Sequence, residues 1–346
     1  MRIWSLHPFA PAAVLVILAA LSTACGSSSS GTGQGAQSSG FGKIVQAKFA
    51  YFVSADTAVG QGAKYFADQV AKDTNNSVQV QVYPDSQLGS VPSTLQAASG
   101  GRIQFVATTN LSALVPAADA ILAPQIFSTT EQAQKALNSD ALRQALWSQF
   151  EAKNTQILGV WGQGFADLLT TKPVTAPTDL QGMRIRIYDP GVGTPQYAAL
   201  GANAVNMTPS QVFTALSTNA IDGIEDPVAT LYGLKWYQEA KNLAETQHAY
   251  VSAPIVASKQ FMSSLSAEQR QGVEKAFADS LTYEVQQAQQ YDSKALNELK
   301  NAKVNVTTVD KAAFKAKLSP LYAQFKTQFP DVWAALGKAG ADITSG

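Results

Sequence analysis

The sequence predicts an α/β protein of two lobes with a ligand cleft between them, and three observations carry that reading. Strand-like and helix-like segments alternate along the chain from residue 46 onward, the order expected of βαβ units built on parallel strands. At 346 residues the chain is long enough for two cores. Two strand-like stretches, 157–161 running into Gly162-Gln163-Gly164 and the apolar run 250–258, stand where the chain would cross between lobes and return.

The chain opens with Arg2, an apolar run over 9–21 and the small-residue sequence Leu21-Ser22-Thr23-Ala24-Cys25. This reads as an export signal over 1–24, its apolar run too short for a stable membrane span. Cys25 is the sole cysteine, so a disulfide within the chain is impossible. A lone cysteine behind such a run resembles a bacterial lipobox, where the thiol is acylated, although Ser22 stands where that motif usually has leucine; plain cleavage is the alternative. Residues 25–43 then form the lipid anchor and a Gly/Ser/Gln tether with too few apolar side chains to fold.

Residues 46–52 read as a strand and 78–82 alternate as a strand does, while 61–72 between them place Ala63, Phe66, Ala67 and Val70 on one helix face. A helix is expected over 92–99 and a strand over 103–108. Ser128-Thr129-Thr130-Glu131 fits a capping box opening a helix that reaches about residue 153. After the first crossing, 168–171, 183–188 and 220–223 read as strands of the second lobe. Thr208, Pro209 and Gln211 supply the N-cap, first position and reciprocal cap of a helix. Ser266 to Gln269 cap a proline-free helix running to about residue 301, followed by a strand at 304–307 and a helix over 310–329. The lobes expected from this order are 44–163 with 252–291, and 164–251 with 292–340, the second including the C-terminal helices.

Twenty-five basic and 25 acidic residues cancel, so nothing points to nucleic acid or to an anionic membrane patch. Chemistry is poorly supplied. The only histidines are His7, within the signal, and His248, which is expected to be structural. Neither G-x-S-x-G nor H-E-x-x-H occurs, no His/Cys metal cluster is possible, and Gly162-Gln163-Gly164 and Gly191-Val192-Gly193 lack the spacing of a phosphate loop. The expectation is a binding protein and not an enzyme, with no cofactor and no metal.

Arg184-Ile185-Arg186-Ile187 alternates charged and apolar residues, which puts both guanidinium groups on one face of a strand. An arginine at the end of a buried strand suits a carboxylate, which its rigid fork of donors meets bidentately; the other reading is an exposed pair with Asp or Glu. Trp161, Trp236 and Tyr237 either stack on a ligand or pack in a core. Phe52, Ser54, Asp56, Thr109 and Asn110 fall at strand ends, where α/β sheets bind ligands, with Asp56 alternatively a helix cap. Asn206 and Gln211 are weaker candidates, Gln211 having a capping role already.

Four blocks in order carry a resemblance to a known family: Asp179-Leu180-Gln181-Gly182-Met183-Arg184-Ile185-Arg186-Ile187, Ala199-Leu200-Gly201-Ala202, Gln211-Val212-Phe213-Thr214-Ala215-Leu216, and Ile221-Asp222-Gly223-Ile224-Glu225-Asp226-Pro227. With Val82-Tyr83-Pro84-Asp85-Ser86-Gln87-Leu88-Gly89 upstream, they resemble the extracytoplasmic solute-binding subunits of TRAP transporters, the DctP-type family. The resemblance implies a periplasmic-binding-protein type II fold and a receptor that delivers a small organic acid to a TRAP-type membrane permease. It places Arg186 on the arginine that clamps the ligand carboxylate. Two positions depart from the family pattern: Ala166 stands where many members carry a second arginine, and Asp226 where the family has asparagine. One cation fewer and one anion more disfavour a dicarboxylate, whose second charge would be desolvated without a partner. The expected ligand is a monocarboxylate, with an amine or hydroxyls for Asp226 or Asp167 to accept from; a neutral ligand is the alternative. The competing functions are a ligand-sensing receptor for a signalling partner and a secreted hydrolase.

Overall fold

The computed structural model describes residues 44–343. The expected signal segment, Cys25 and the tether lie outside the described residues. Nine strands form one sheet: β1 (Val45–Tyr51), β2 (Val78–Tyr83), β3 (Phe105–Ala107), β4 (Thr155–Thr170), β5 (Arg184–Ile187), β6 (Asn203–Asn206), β7 (Gly223–Pro227), β8 (Asn242–Ser258) and β9 (Asn305–Thr308). Their order is β2-β1-β3-β8-β4-β7-β5-β6, with β9 on β8. The helices are α1 (Ala58–Asp73), α2 (Val91–Ser99), α3 (Thr130–Leu137), α4 (Asp140–Ala145), α5 (Pro190–Ala199), α6 (Pro209–Ser217), α7 (Val228–Gly233), α8 (Lys259–Ser264), α9 (Ala267–Asn301), α10 (Lys311–Leu318), α11 (Tyr322–Gln328) and α12 (Pro330–Lys338).

Two long antiparallel strands, β4 and β8, are shared by both halves of the sheet. Parallel β2, β1 and β3 extend it beyond one end of β8, and β7, parallel to β5 and β6, extends it beyond the other end of β4. The sequence reading split β4 into two strands at Gly162-Gln163-Gly164. The glycines instead make a register shift inside one continuous strand, which bends the ribbon without ending it. Likewise β8 begins at Asn242, eight residues before the expected start. All three expected crossings, at 163/164, 251/252 and 291/292, therefore fall inside unbroken elements: β4, β8 and the 35-residue α9.

One face of the first half buries Phe49, Phe105 and Trp161 against α1, which contributes Phe66, and against the first part of α9. In the second half Leu169, Ile224 and Leu243 meet α6, α7 and the end of α9 through Leu216, Leu231 and Leu299. The largest cluster runs along the remaining surface of both halves and takes in the C-terminal helices. Those helices were assigned to the second lobe alone. In the structure α12 also packs on α4, and Tyr322 donates to the carbonyl of Pro124 at 2.8 Å.

Several expected helices are broken for local reasons. The helix expected over 128–153 opens one residue later, with Thr129 as its cap, and stops at Leu137. There Asn138 leaves the helix to bond Val160 on the open edge of β4: its Nδ2 donates to the carbonyl at 3.1 Å and its Oδ1 accepts the N–H at 2.9 Å. Ser139 then caps α4. Pro320 divides the expected 310–329 helix into α10 and α11, and Pro330 opens an unforeseen α12 beyond it. The Gly- and Pro-containing segment after Tyr188 forms α5, opened by Asp189 accepting from Gly191 and Val192.

Asn138 in effect supplies the strand that β4 lacks. Replacing it by alanine leaves the buried N–H and C=O of Val160 without partners, and Asn138→Ala is expected to cost on the order of 2–4 kcal/mol, read as a lower urea midpoint with an unchanged m value.

Candidate ligand-binding site

The two arginines of β5 have different fates. Arg184, near the strand start, is pinned to Asp222, whose carboxylate accepts from its Nε at 2.9 Å, its Nη2 at 2.8 Å and its backbone N–H at 2.8 Å. Its side chain remains 42 % exposed. Arg186, two residues on, is 4 % exposed and is the only buried Lys or Arg among the described residues. Its Nη1 donates to Asp226 Oδ2 at 3.0 Å and its Nε to the Met207 carbonyl at 3.2 Å. The guanidinium lies 5.8 Å from the ring centre of Trp236, a cation–π contact that favours a desolvated charge.

Asp226 ends β7 opposite Asp167 of β4, and its carboxyl is pushed up to about 6, by burial first, with Arg186 opposing and Glu225 adding to the rise. Asp167 is buried, accepts from the Gln247 N–H at 2.8 Å, and is raised by burial to about 7. Asp167 also lines a cavity of about 450 Å3 between the β4–β8 ribbon and α9, with Gly164, Val228, Tyr250, Ala288 and Asp292 among the other lining residues. Asp292 of α9 accepts from the Ala229 N–H at 3.0 Å and is likewise raised to about 7 by burial. Gly164 has φ +102°, and a Cβ there would run into the Asp292 carboxylate, so the ribbon and α9 approach this closely only because the residue is glycine.

On the other side of β7, Glu225 is enclosed by donors. Its Oε2 accepts from Tyr197 at 2.6 Å and Gln196 at 3.2 Å and meets His248 Nε2 at 2.8 Å, while His248 Nδ1 pairs with Thr246 at 2.8 Å. The sole histidine of the described residues is thus tied into packing, as a structural role requires.

This arrangement matches known proteins. The family described as bacterial extracellular solute-binding protein, family 7 (DctP), matches residues 49–328. The chain belongs to the DctP family. It is 32 % identical over 283 residues to the C4-dicarboxylate-binding periplasmic protein DctP of Rhodobacter capsulatus, covering 80 % of this chain and 84 % of that one. A TRAP periplasmic solute-binding protein of Shewanella oneidensis with bound succinate superposes with TM-score 0.79 at 26 % identity, over 85 % of this chain and 99 % of the other. The sugar acid binding protein DctPAm of Advenella mimigardefordensis in complex with galactonate gives 0.79 at 25 % identity, over 86 % and 99 %. The expected two-lobed binding-protein fold is thereby established.

Within this DctP-family chain the structure gathers Arg186, Asp226 and Trp236, with Asp167 across the strand pair. Ala166 is fully buried beside Ala249 and Val251, with Tyr188 packed against them, an apolar patch where many relatives would place a cation. Asn206 is exposed at the end of β6, one residue before the Met207 carbonyl. Thr109 and Asn110 are half-buried, and the Asn110 N–H is taken by the Thr108 hydroxyl at 3.2 Å. Asp56 is exposed and bonded to Ser54, with Thr57 capping α1 in its place. Trp161 is not at the site. It is wholly buried in the first core, stacked on Phe277 and donating to the Ser280 hydroxyl at 3.2 Å.

Sequence reasoning missed the acids of α9. Glu284 is fully buried; one oxygen accepts the Gly162 N–H at 3.0 Å and the other has no partner. The signal was available, because Ala276, Ser280, Glu284 and Ala288 recur every four residues on the buried stripe of α9. Burial pushes Glu284 up to about 8, above its ordinary unfolded value of about 4.5, so its contribution is full below pH 4.5 and is lost as pH rises towards 8. Glu284→Gln is therefore expected to leave the melting temperature little changed near pH 4.5 and to stabilise the fold at pH 8.5 by on the order of 2–4 kcal/mol, measured by parallel melts across that range.

Proposed function

We propose that this chain is an extracytoplasmic receptor that binds a small organic acid, a monocarboxylate, at Arg186 and delivers it to a TRAP-type membrane permease. The observation that carries the reading is the burial of Arg186 at a strand end as the only buried Lys or Arg among the described residues. A buried guanidinium is the group that a carboxylate would seek, and Asp167, across the strand pair from Asp226, lines the cavity. Relatives with bound succinate or galactonate support an organic acid as the class. The surroundings favour one carboxylate over two. Asp226, Asp167 and Asp292 stand close by, and the buried Ala166 offers no second cation. A second ligand carboxylate would be desolvated among acids, whereas hydroxyls of a sugar acid would find acceptors.

In this reading residues 1–24 direct export and Cys25 is acylated, so that the tether holds the receptor at the outer face of the membrane. The lobes 44–163 with 252–291 and 164–251 with 292–340 close over the ligand, and the permease recognises the closed form. No helix among the described residues is long and apolar enough to cross a membrane, in keeping with such an anchor.

A thermal-shift screen of the purified protein against galactonate, glucuronate, lactate and succinate tests the reading. An acid at about 100 times its dissociation constant should stabilise the fold by roughly 2.7 kcal/mol. Arg186→Ala is expected to lose roughly 2–5 kcal/mol of binding. Because that change strands Asp226, Arg186→Ala combined with Asp226→Asn serves as the charge-balanced control. Succinate as the strongest stabiliser, or a shift that survives both variants, would overturn the monocarboxylate assignment or the role of Arg186 respectively.

A further inference from the structure

The inference deepens the proposed reading of the Arg186 site and rests on it. Arg186 already has an anionic partner, Asp226, held at 3.0 Å. Its Nε is committed to the Met207 carbonyl and one ring face to Trp236, so a ligand carboxylate must use the same outer Nη edge as Asp226. Two carboxylates on one guanidinium stand only a few ångströms apart. Like charges that close in a site removed from water repel strongly, and one cation cannot offset both.

The groups facing Asp226 deepen the problem. Glu225 precedes it on β7, Asp167 faces it from β4, Tyr188 follows β5, Thr230 of α7 lowers its pKa, and Asp292 of α9 caps the next turn at Ala229. Among the described residues Arg186 is the only cation in an ion pair with it. The least costly relief is a proton on one of the two carboxyls, and the ligand, bidentate on the guanidinium, keeps its charge.

We propose that Asp226 takes up one proton from solvent when an organic acid binds, so that the loaded site holds the Arg186 cation, the ligand carboxylate and a neutral Asp226 whose O–H donates to the ligand. Asp226 is thereby the residue that sets the receptor's dependence on pH. The sign follows from linkage. In the free protein Asp226 titrates at about 6, and binding raises that value; below about pH 6 the proton is already present and affinity is constant. Above it each bound ligand must draw a proton from solution, and the dissociation constant rises by up to about tenfold per pH unit.

Isothermal titration of the purified protein with galactonate, glucuronate, lactate and succinate tests this in phosphate and in Tris at pH 7.5. The difference in observed enthalpy between the two buffers counts the protons, and about one taken up per ligand is expected. Dissociation constants at pH 6, 7 and 8 should weaken in that order. Asp226→Asn, which keeps the side-chain shape, is expected to bind with no proton uptake, a flat pH profile and a tenfold or greater gain over the unmodified protein at pH 8. Should that variant not fold, the proton count on the unmodified protein decides. Binding with no proton uptake and a flat profile overturns the coupling and leaves the receptor reading standing. Binding of none of the four acids at any pH overturns the receptor reading, and the coupling with it.

Discussion

The antiparallel pairing of β4 with β8 is the constraint on which the rest of the molecule depends. Sixteen residues of one strand and 17 of the other run side by side through both halves of the sheet, so neither half has a sheet without the other. In the first half β4 is also an edge, and an open edge must be covered or left to pair with another chain. Asn138 covers Val160, and Glu284 covers the Gly162 N–H. The second cover places a carboxyl in the core beneath the ribbon. Lying along both halves, α9 then meets the second one through Asp292 at the start of α7. The acids of α9 are thus backbone caps first, and their raised pKa values follow from that position.

The same economy of polar groups explains the contrast between Arg184 and Arg186. Arg184 lies at the surface, where a bidentate pair with Asp222 adds little stability but fixes the start of β5. Arg186 is taken out of water, which is tolerable only with a counter-charge, a carbonyl and an aromatic face around it. Asp226, Met207 and Trp236 supply these from three separate elements. Burial of Arg186 therefore holds β5, the end of β6 and the segment after α7 in one arrangement even without a ligand.

Much of the fold was legible in the sequence because alternation and caps are local signals. The strands around 46–52 and 78–82, the helix opened by Thr208 and Pro209, and the long helix capped by Ser266 and Gln269 all form where their residues indicate. What was misread depended on distant partners. Asn138 ends a helix because Val160 needs it 22 positions later, and α5 forms despite two glycines and Pro195 because Asp189 supplies its first bonds. At the site, the preference for Arg186 over Arg184 rested on the family motif, and of the two it is Arg186 that the structure buries. That Trp161 would be core and Trp236 would lie over the guanidinium was not readable, since both are tryptophans near strand or turn ends and only the tertiary packing separates them.

Glu225 and Asp226 show how strand alternation assigns different work to adjacent acids. Consecutive residues of β7 point to opposite faces. Glu225 enters a closed network in which Tyr197, Gln196 and His248 all converge on one oxygen. Nothing that enters the cleft can compete for those donors without dismantling packing. Asp226 faces the other way and shares the single Arg186 cation, the group that a ligand carboxylate would also seek. An acid that depends on one guanidinium must take a proton or give way when a second anion arrives. Of the two, Asp226 is the one whose cation a ligand would share.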